Sequence, residues 1–160
     1  MYQTRIDIAE DRRQQLVDLL NARLADAVDL KLQAKQAHWN VKGPGAFALH
    51  ELFDQIAGRL ERYIDMLAER AAALGGTALG TVQAVAKAST LPPYPLDIAG
   101  GREHVDALAT GLAAFGRLVR AALDQAAAGL GDIVTGAVFT DISLGIDRDL
   151  GLLEAHLQSG

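Results

Sequence analysis

Five side chains in one stretch of this sequence have the types and spacing to hold a metal ion: His38, His50, Asp54, Asp65 and Glu69. His50 and Asp54 lie four residues apart, and so do Asp65 and Glu69. A four-residue step on a helix keeps both members of a pair on one face. Asp54 and Asp65 are eleven residues apart. That is about three turns at 3.6 residues per turn, so all four side chains share one stripe. His38 precedes a break at Asn40-Val41-Lys42-Gly43-Pro44-Gly45 and can approach His50 across it. Such pairs are also common on solvated helix faces, and their spacing alone leaves both readings open.

Helix rise narrows the choice. Eleven residues of helix span about 16 Å at 1.5 Å per residue, whereas metal–ligand bonds are about 2 Å. His50/Asp54 and Asp65/Glu69 of one chain therefore cannot hold the same ion. If both pairs are ligands, they meet across two chains. Two antiparallel copies of the helix, related by a two-fold axis near residues 59–60, bring one copy's His50 and Asp54 to the other's Asp65 and Glu69. A two-fold interface is self-complementary, so two such sites form. Imidazoles and carboxylates without sulfur suit ferrous iron, manganese or zinc. An intrachain di-metal carboxylate site in a helix bundle uses Glu-x-x-His on two helices. The sequence contains no such motif, which disfavours that arrangement.

The elements that must position these residues are helical. From about Ile8 to Trp39 there is no Gly or Pro, and Leu16, Leu19, Leu20, Leu24, Ala27 and Val28 mark one apolar face. A second helix is predicted from Ala46 to about Leu74, with Leu49, Leu52, Phe53, Ile56, Leu60, Ile64 and Leu67 in phase and Gly75-Gly76 ending it. Residues 77–100 form a long crossover with a short helix over Val82–Ala88 and an extended Leu91-Pro92-Pro93-Tyr94-Pro95. A third helix is predicted over Arg102–Ala127 and a fourth over Asp132–Leu157. Two short turns and one long crossover define an all-α, four-helix bundle of ferritin-like topology.

Composition agrees. The chain has 160 residues, one domain's worth (1–160), of which half are hydrophobic and only 5% aromatic. It has no cysteine, which excludes disulfides, thiol nucleophiles and iron–sulfur clusters and fits a reducing compartment. No signal peptide or membrane span is read from it. The net charge of −5 opposes DNA binding unless basic residues cluster.

The segment Lys35-Gln36-Ala37-His38-Trp39-Asn40-Val41-Lys42-Gly43, then Phe47-Ala48-Leu49-His50-Glu51-Leu52-Phe53-Asp54, then Asp65 and Glu69, resembles the Dps family (DNA-binding protein from starved cells), the mini-ferritins. The likeness continues through Leu74-Gly75-Gly76-Thr77, Leu91-Pro92-Pro93-Tyr94-Pro95 and Leu153-Glu154-Ala155-His156-Leu157. It implies a hollow dodecamer in the cytoplasm, the nucleoid included. Fe(II) would be bound at two-fold interfaces, oxidised to Fe(III), preferably by hydrogen peroxide, and stored as ferric oxide: a ferroxidase. His38, His50 and Asp54 would come from one chain and Asp65 and Glu69 from its neighbour. Trp39 resembles the family tryptophan beside the site, either taking up a stray oxidising equivalent or packing at the interface.

Several features depart from the family pattern. The turn into the fourth helix, Gly131-Asp132-Ile133-Val134-Thr135-Gly136-Ala137, keeps only Asp132 where family members often carry several carboxylates around a pore, which predicts slower iron uptake or another route. Gly151 stands where a tryptophan is usual, leaving a gap or room for another group. Residues 1–13 balance Arg5, Arg12 and Arg13 against Asp7, Glu10 and Asp11, and Leu157-Gln158-Ser159-Gly160 has no basic residue. Neutralising phosphates needs clustered cations, so the alternative of a non-catalytic DNA-protecting nucleoid protein is disfavoured. His104 is expected at the surface and His156 as a cap of the last turn. Glu51 and Glu61 read equally as surface charges or cavity-wall iron ligands.

Overall fold

The computed structural model describes residues 1–158; Ser159 and Gly160, part of the tail read as lacking basic residues, lie outside the described residues. Four long helices and one short one follow the expected order. They are α1 (Glu10–Asn40), α2 (Ala46–Ala73), α3 (Val82–Ala88), α4 (Gly101–Asp124) and α5 (Ile133–Gln158). A π-helical turn, Gln125–Gly129, extends α4. It replaces the regular helix predicted up to Ala127 and runs two residues past it.

Apolar residues at helical spacing meet in one core. Leu16, Leu20, Leu24, Phe53, Ile56, Leu60, Phe115, Phe139, Ile142 and Ile146 are all fully buried. Within it α1 packs on α2 and α4 on α5, and the two hairpins meet through α1–α4 and α2–α5. The crossover returns the chain to the start of α2. Lys42 bridges Gly100 in parallel fashion, its amide donating to the Ala99 carbonyl at 3.0 Å. A Cβ at Gly101 would stand 2.6 Å from the Leu49 side chain. The starts of α2 and α4 are thus adjacent and the two helices run in the same direction.

Polar groups fasten the rest. The fully buried Asp26 accepts from Arg23 and from the Thr90 amide (2.8 Å) and hydroxyl, pinning the crossover to α1. Gln33 donates to the Pro92 carbonyl at 3.2 Å. Arginines of α2 face aspartates of α5, and the one just before it, in antiparallel register: Arg59 with Asp149, Arg62 with Asp141 and Arg70 with Asp132, each at 2.7–2.9 Å. Between them Tyr63 lies over Gly145, where a Cβ would fall 1.7 Å from the phenol oxygen. After α2, Gly75 (φ 86°) turns the chain, and its carbonyl is met by the N-terminal segment. Tyr2 donates to the Gly75 carbonyl at 2.7 Å, and the buried Arg13 donates to the carbonyls of Leu74 (2.8 Å) and Tyr2 (3.4 Å).

His104 corrects the surface expectation: it is 1% exposed. It shares a helix face with the buried Leu108, Gly111 and Phe115, a periodicity that its polar identity masked. Its Nδ1 lies 2.7 Å from the Tyr94 hydroxyl, clasping the crossover to α4, while Nε2 is buried without a partner. Burial holds its pKa below the usual histidine value, with Glu103 opposing. His156 does sit in the last turn of α5, its Nδ1 2.9 Å from the Leu152 carbonyl. Gly151 is exposed, with open space where a side chain would begin.

Candidate metal centre

The tight turn between α1 and α2 brings His38 and His50 together. Gly45 (φ 77°) takes the left-handed conformation that lets α2 start immediately after the break. The two imidazoles stack, centroids 3.7 Å apart and 27° between planes. Each ring's Nδ1 lies 2.8 Å from the other residue's backbone carbonyl. A carbonyl only accepts, so both rings donate from Nδ1, which leaves Nε2 as the nitrogen that can face a metal. A carbonyl holding one ring nitrogen is the arrangement that fixes tautomer and aim in metal-binding histidines.

Asp54 lies one helical turn beyond His50. Its carboxylate accepts from Lys35 of α1 at 2.7 Å. That hydrogen bond, with the charges of Lys35, His38 and His50, outweighs desolvation and holds the carboxyl below its ordinary value. The Lys35 ammonium also stands 5.7 Å from the Trp39 ring, which is 63% exposed. Lys35 belongs to the quoted motif, but a cation gave no reason to pick it out as a partner for a ligand.

Asp65 and Glu69 lie on the same outward stripe of α2. Both are exposed, and neither makes a side-chain hydrogen bond or ion pair within the chain among the described residues. Glu61, between the two pairs, is ion-paired with Lys31. Among the described residues, no three His, Asp or Glu side chains of the single chain converge as a metal cage. The structure therefore brings His38 and His50 together, sets Asp54 one turn beyond them on Lys35, and leaves Asp65 and Glu69 apart at the other end of the stripe.

Asp132 is not a free pore carboxylate. It is 4% exposed and accepts from Arg70 (2.8 Å), the Thr135 hydroxyl and the Val134 amide (3.1 Å), capping α5. Burial pushes its pKa up, but the bonds from Thr135 and Arg70 prevail and hold it below the ordinary value. Beside it Ile133 and Val134 are exposed.

Helices and connectivity define a ferritin-like protein, and the sequence model of the ferritin-like domain matches residues 17–159. The chain belongs to that family and, within it, to the Dps group. It is 40% identical to the DNA protection during starvation protein of Agrobacterium fabrum over 98% of this chain and 96% of the relative. It is 32% identical to the protein of that name from Brevibacillus brevis over 91% and 97%. Among solved structures, Dps of Mycobacterium smegmatis superposes with a TM-score of 0.93 at 27% identity, over 100% of this chain and 96% of that one. Dps of Vibrio cholerae O1, described as a member of a broad superfamily of ferritin-like diiron-carboxylate proteins, superposes with a TM-score of 0.90 at 27% identity, over 99% and 98%.

Proposed function

We propose that this protein is an iron-storage mini-ferritin that oxidises Fe(II), its substrate, at sites shared between two subunits, with hydrogen peroxide as preferred oxidant. The observation that carries the reading is the paired, tautomer-fixed imidazoles beside Asp54, on the same α2 stripe as the unpartnered Asp65 and Glu69. His38, His50 and Asp54 of one chain with Asp65 and Glu69 of a second would complete the donor set.

The chemistry follows from the donors. Two imidazole Nε2 atoms bind Fe(II) well, and three carboxylates favour the higher charge of Fe(III), which lowers the barrier to electron loss. Two ferrous ions deliver two electrons to one peroxide: 2 Fe(II) + H2O2 + 2 H+ gives 2 Fe(III) + 2 H2O. Neither hydroxyl radical nor a one-electron intermediate need leave the site. Trp39, exposed and next to His38 in the chain, would take up an odd oxidising equivalent or pack against the second subunit. Exposed Phe47 (80%), Ile133 (76%) and Leu144 (68%) supply apolar surface for assembly into a dodecamer.

DNA lies outside this reading. Tyr2 is held on the bundle by Gly75 and Arg13, and Arg13 is buried in that contact rather than presented to a phosphate. No helix of the described residues is long and apolar enough to cross a membrane.

The test is anaerobic ferrous loading of the assembled protein followed by a peroxide pulse, read by ferric absorbance. Fast oxidation near two irons per peroxide is expected, and its loss in Asp65→Asn/Glu69→Gln with helicity intact. Oxidation no faster than a protein-free control would overturn the proposal.

A further inference from the structure

Resting on the shared-site reading above, we infer that Gly58 is the point where two copies of α2 cross, and that its missing side chain lets the helices approach closely enough to share ligands. Glycine weakens a helix interior relative to alanine, so a glycine within the 28-residue α2 calls for a reason. For most helical glycines here the reason lies inside the chain. Gly101 abuts Leu49, Gly111 abuts Gln33 and Leu30, Gly116 abuts Ile146, Gly136 abuts Ala127 and Gly145 abuts Tyr63. A Cβ at Gly58 meets nothing within 4 Å.

Its position supplies the missing reason. At 3.6 residues per turn, His50, Asp54, Gly58, Glu61, Asp65 and Glu69 fall within an arc of about 100°. The buried Leu49, Phe53, Ile56, Leu60 and Leu67 occupy the opposite side. An antiparallel two-fold register that sets Asp54 opposite the second copy's Asp65 also sets His50 opposite its Glu69 and Gly58 opposite its Glu61. Gly58 thus falls beside the axis and leaves room for the glutamate.

Charge selects a second copy as the occupant of this face. One end carries Lys35 and the two imidazoles, and the other carries the unpartnered Asp65 and Glu69. Antiparallel pairing lays Glu69 on the His50 imidazole and brings Asp65 to the Lys35–Asp54 ion pair, whose ammonium offsets the meeting of the two aspartates. At the axis Glu61 is held by Lys31, so the two central carboxylates meet already neutralised.

Gly58→Ala and Gly58→Leu in the full chain test this. Both residues favour helix over glycine, and neither Cβ meets an atom of its own subunit, so a subunit that folds less well would itself contradict the reading. Sedimentation velocity reads assembly and anaerobic calorimetric titration with ferrous ion reads the site. Leucine is expected to break the two-fold pair and to weaken ferrous binding about tenfold or more, with alanine intermediate. Unchanged assembly and affinity in Gly58→Leu, with binding lost in Asp65→Asn/Glu69→Gln, would overturn the role of Gly58 and leave the shared site standing. Wild-type binding by Asp65→Asn/Glu69→Gln would overturn both.

Discussion

Arg70→Met removes the clamp that joins the end of α2, one residue from Glu69, to the start of α5. It deletes the 2.8 Å bond to Asp132 and the 2.9 Å bond to Thr135. Asp132 stays buried at 4% exposure with the Thr135 hydroxyl and the Val134 amide as remaining donors. Removing one partner of a buried ion pair costs about 3–5 kcal/mol. The two surviving hydrogen bonds offset about 1 kcal/mol each, leaving a loss near 2 kcal/mol. At about 2–4 °C per kcal/mol for a domain of this size, the melting temperature falls by about 4–8 °C at pH 7. The pH dependence has a definite sign. The Asp132 pKa is depressed in the fold, so its carboxylate contributes fully above the ordinary value of 3.8, and the contribution fades as pH falls through the lower folded value. The gap between wild type and variant, followed by circular dichroism at fixed protein concentration, must therefore narrow below pH 3.8. Equal melting temperatures at pH 7, or a gap that ignores pH, would refute the reasoning.

Lys35→Met frees Asp54 from its 2.7 Å ion pair and is expected to tighten ferrous binding by about two- to fivefold, the scale of an exposed ion pair; calorimetric titration reads it, and weaker binding would assign Lys35 a supporting role. His104→Leu leaves the Tyr94 hydroxyl without its 2.7 Å partner and lowers stability at neutral pH. The depressed histidine pKa makes wild-type stability decline as pH falls below the ordinary 6.5, and the leucine variant loses that slope; parallel pH profiles of thermal melts would contradict it. Gly145→Ala drives a methyl into the Tyr63 hydroxyl and costs about 1–3 kcal/mol, and Tyr63→Phe in that background returns part of it in denaturant melts; additive losses would sink the contact.

Much of the architecture was legible because helices announce themselves by period. Val105, Leu108, Leu112, Phe115 and Val119 predict one buried face, and all five are buried. The short helix expected in the crossover forms over Val82–Ala88. The π-helical turn was not legible: an alanine run reads as regular helix, and the extra residue is absorbed only because Leu130 and Asp132 find the Gln125 and Ala126 carbonyls. His104 was misplaced because residue type was weighed above its phase with Leu108. At the candidate site, the proximity of His38 and His50 followed from the glycine turn between them. The capture of Asp54 by Lys35 and of Asp132 by Arg70 did not, since each joins residues on different helices whose relative rotation periodicity leaves undetermined.

Two half-site variants test the central claim, that iron is oxidised at a centre built from two chains. One chain carries His50→Ala/Asp54→Ala and the other Asp65→Ala/Glu69→Ala; each alone should oxidise ferrous iron no faster than the protein-free control. Co-refolded in equal amounts, random pairing makes half the dimers mixed, each with one of its two sites intact, so about a quarter of wild-type peroxide-driven oxidation should return. No recovery in assemblies shown by native mass spectrometry to contain both chains, or full activity in either variant alone, would contradict a site shared between subunits.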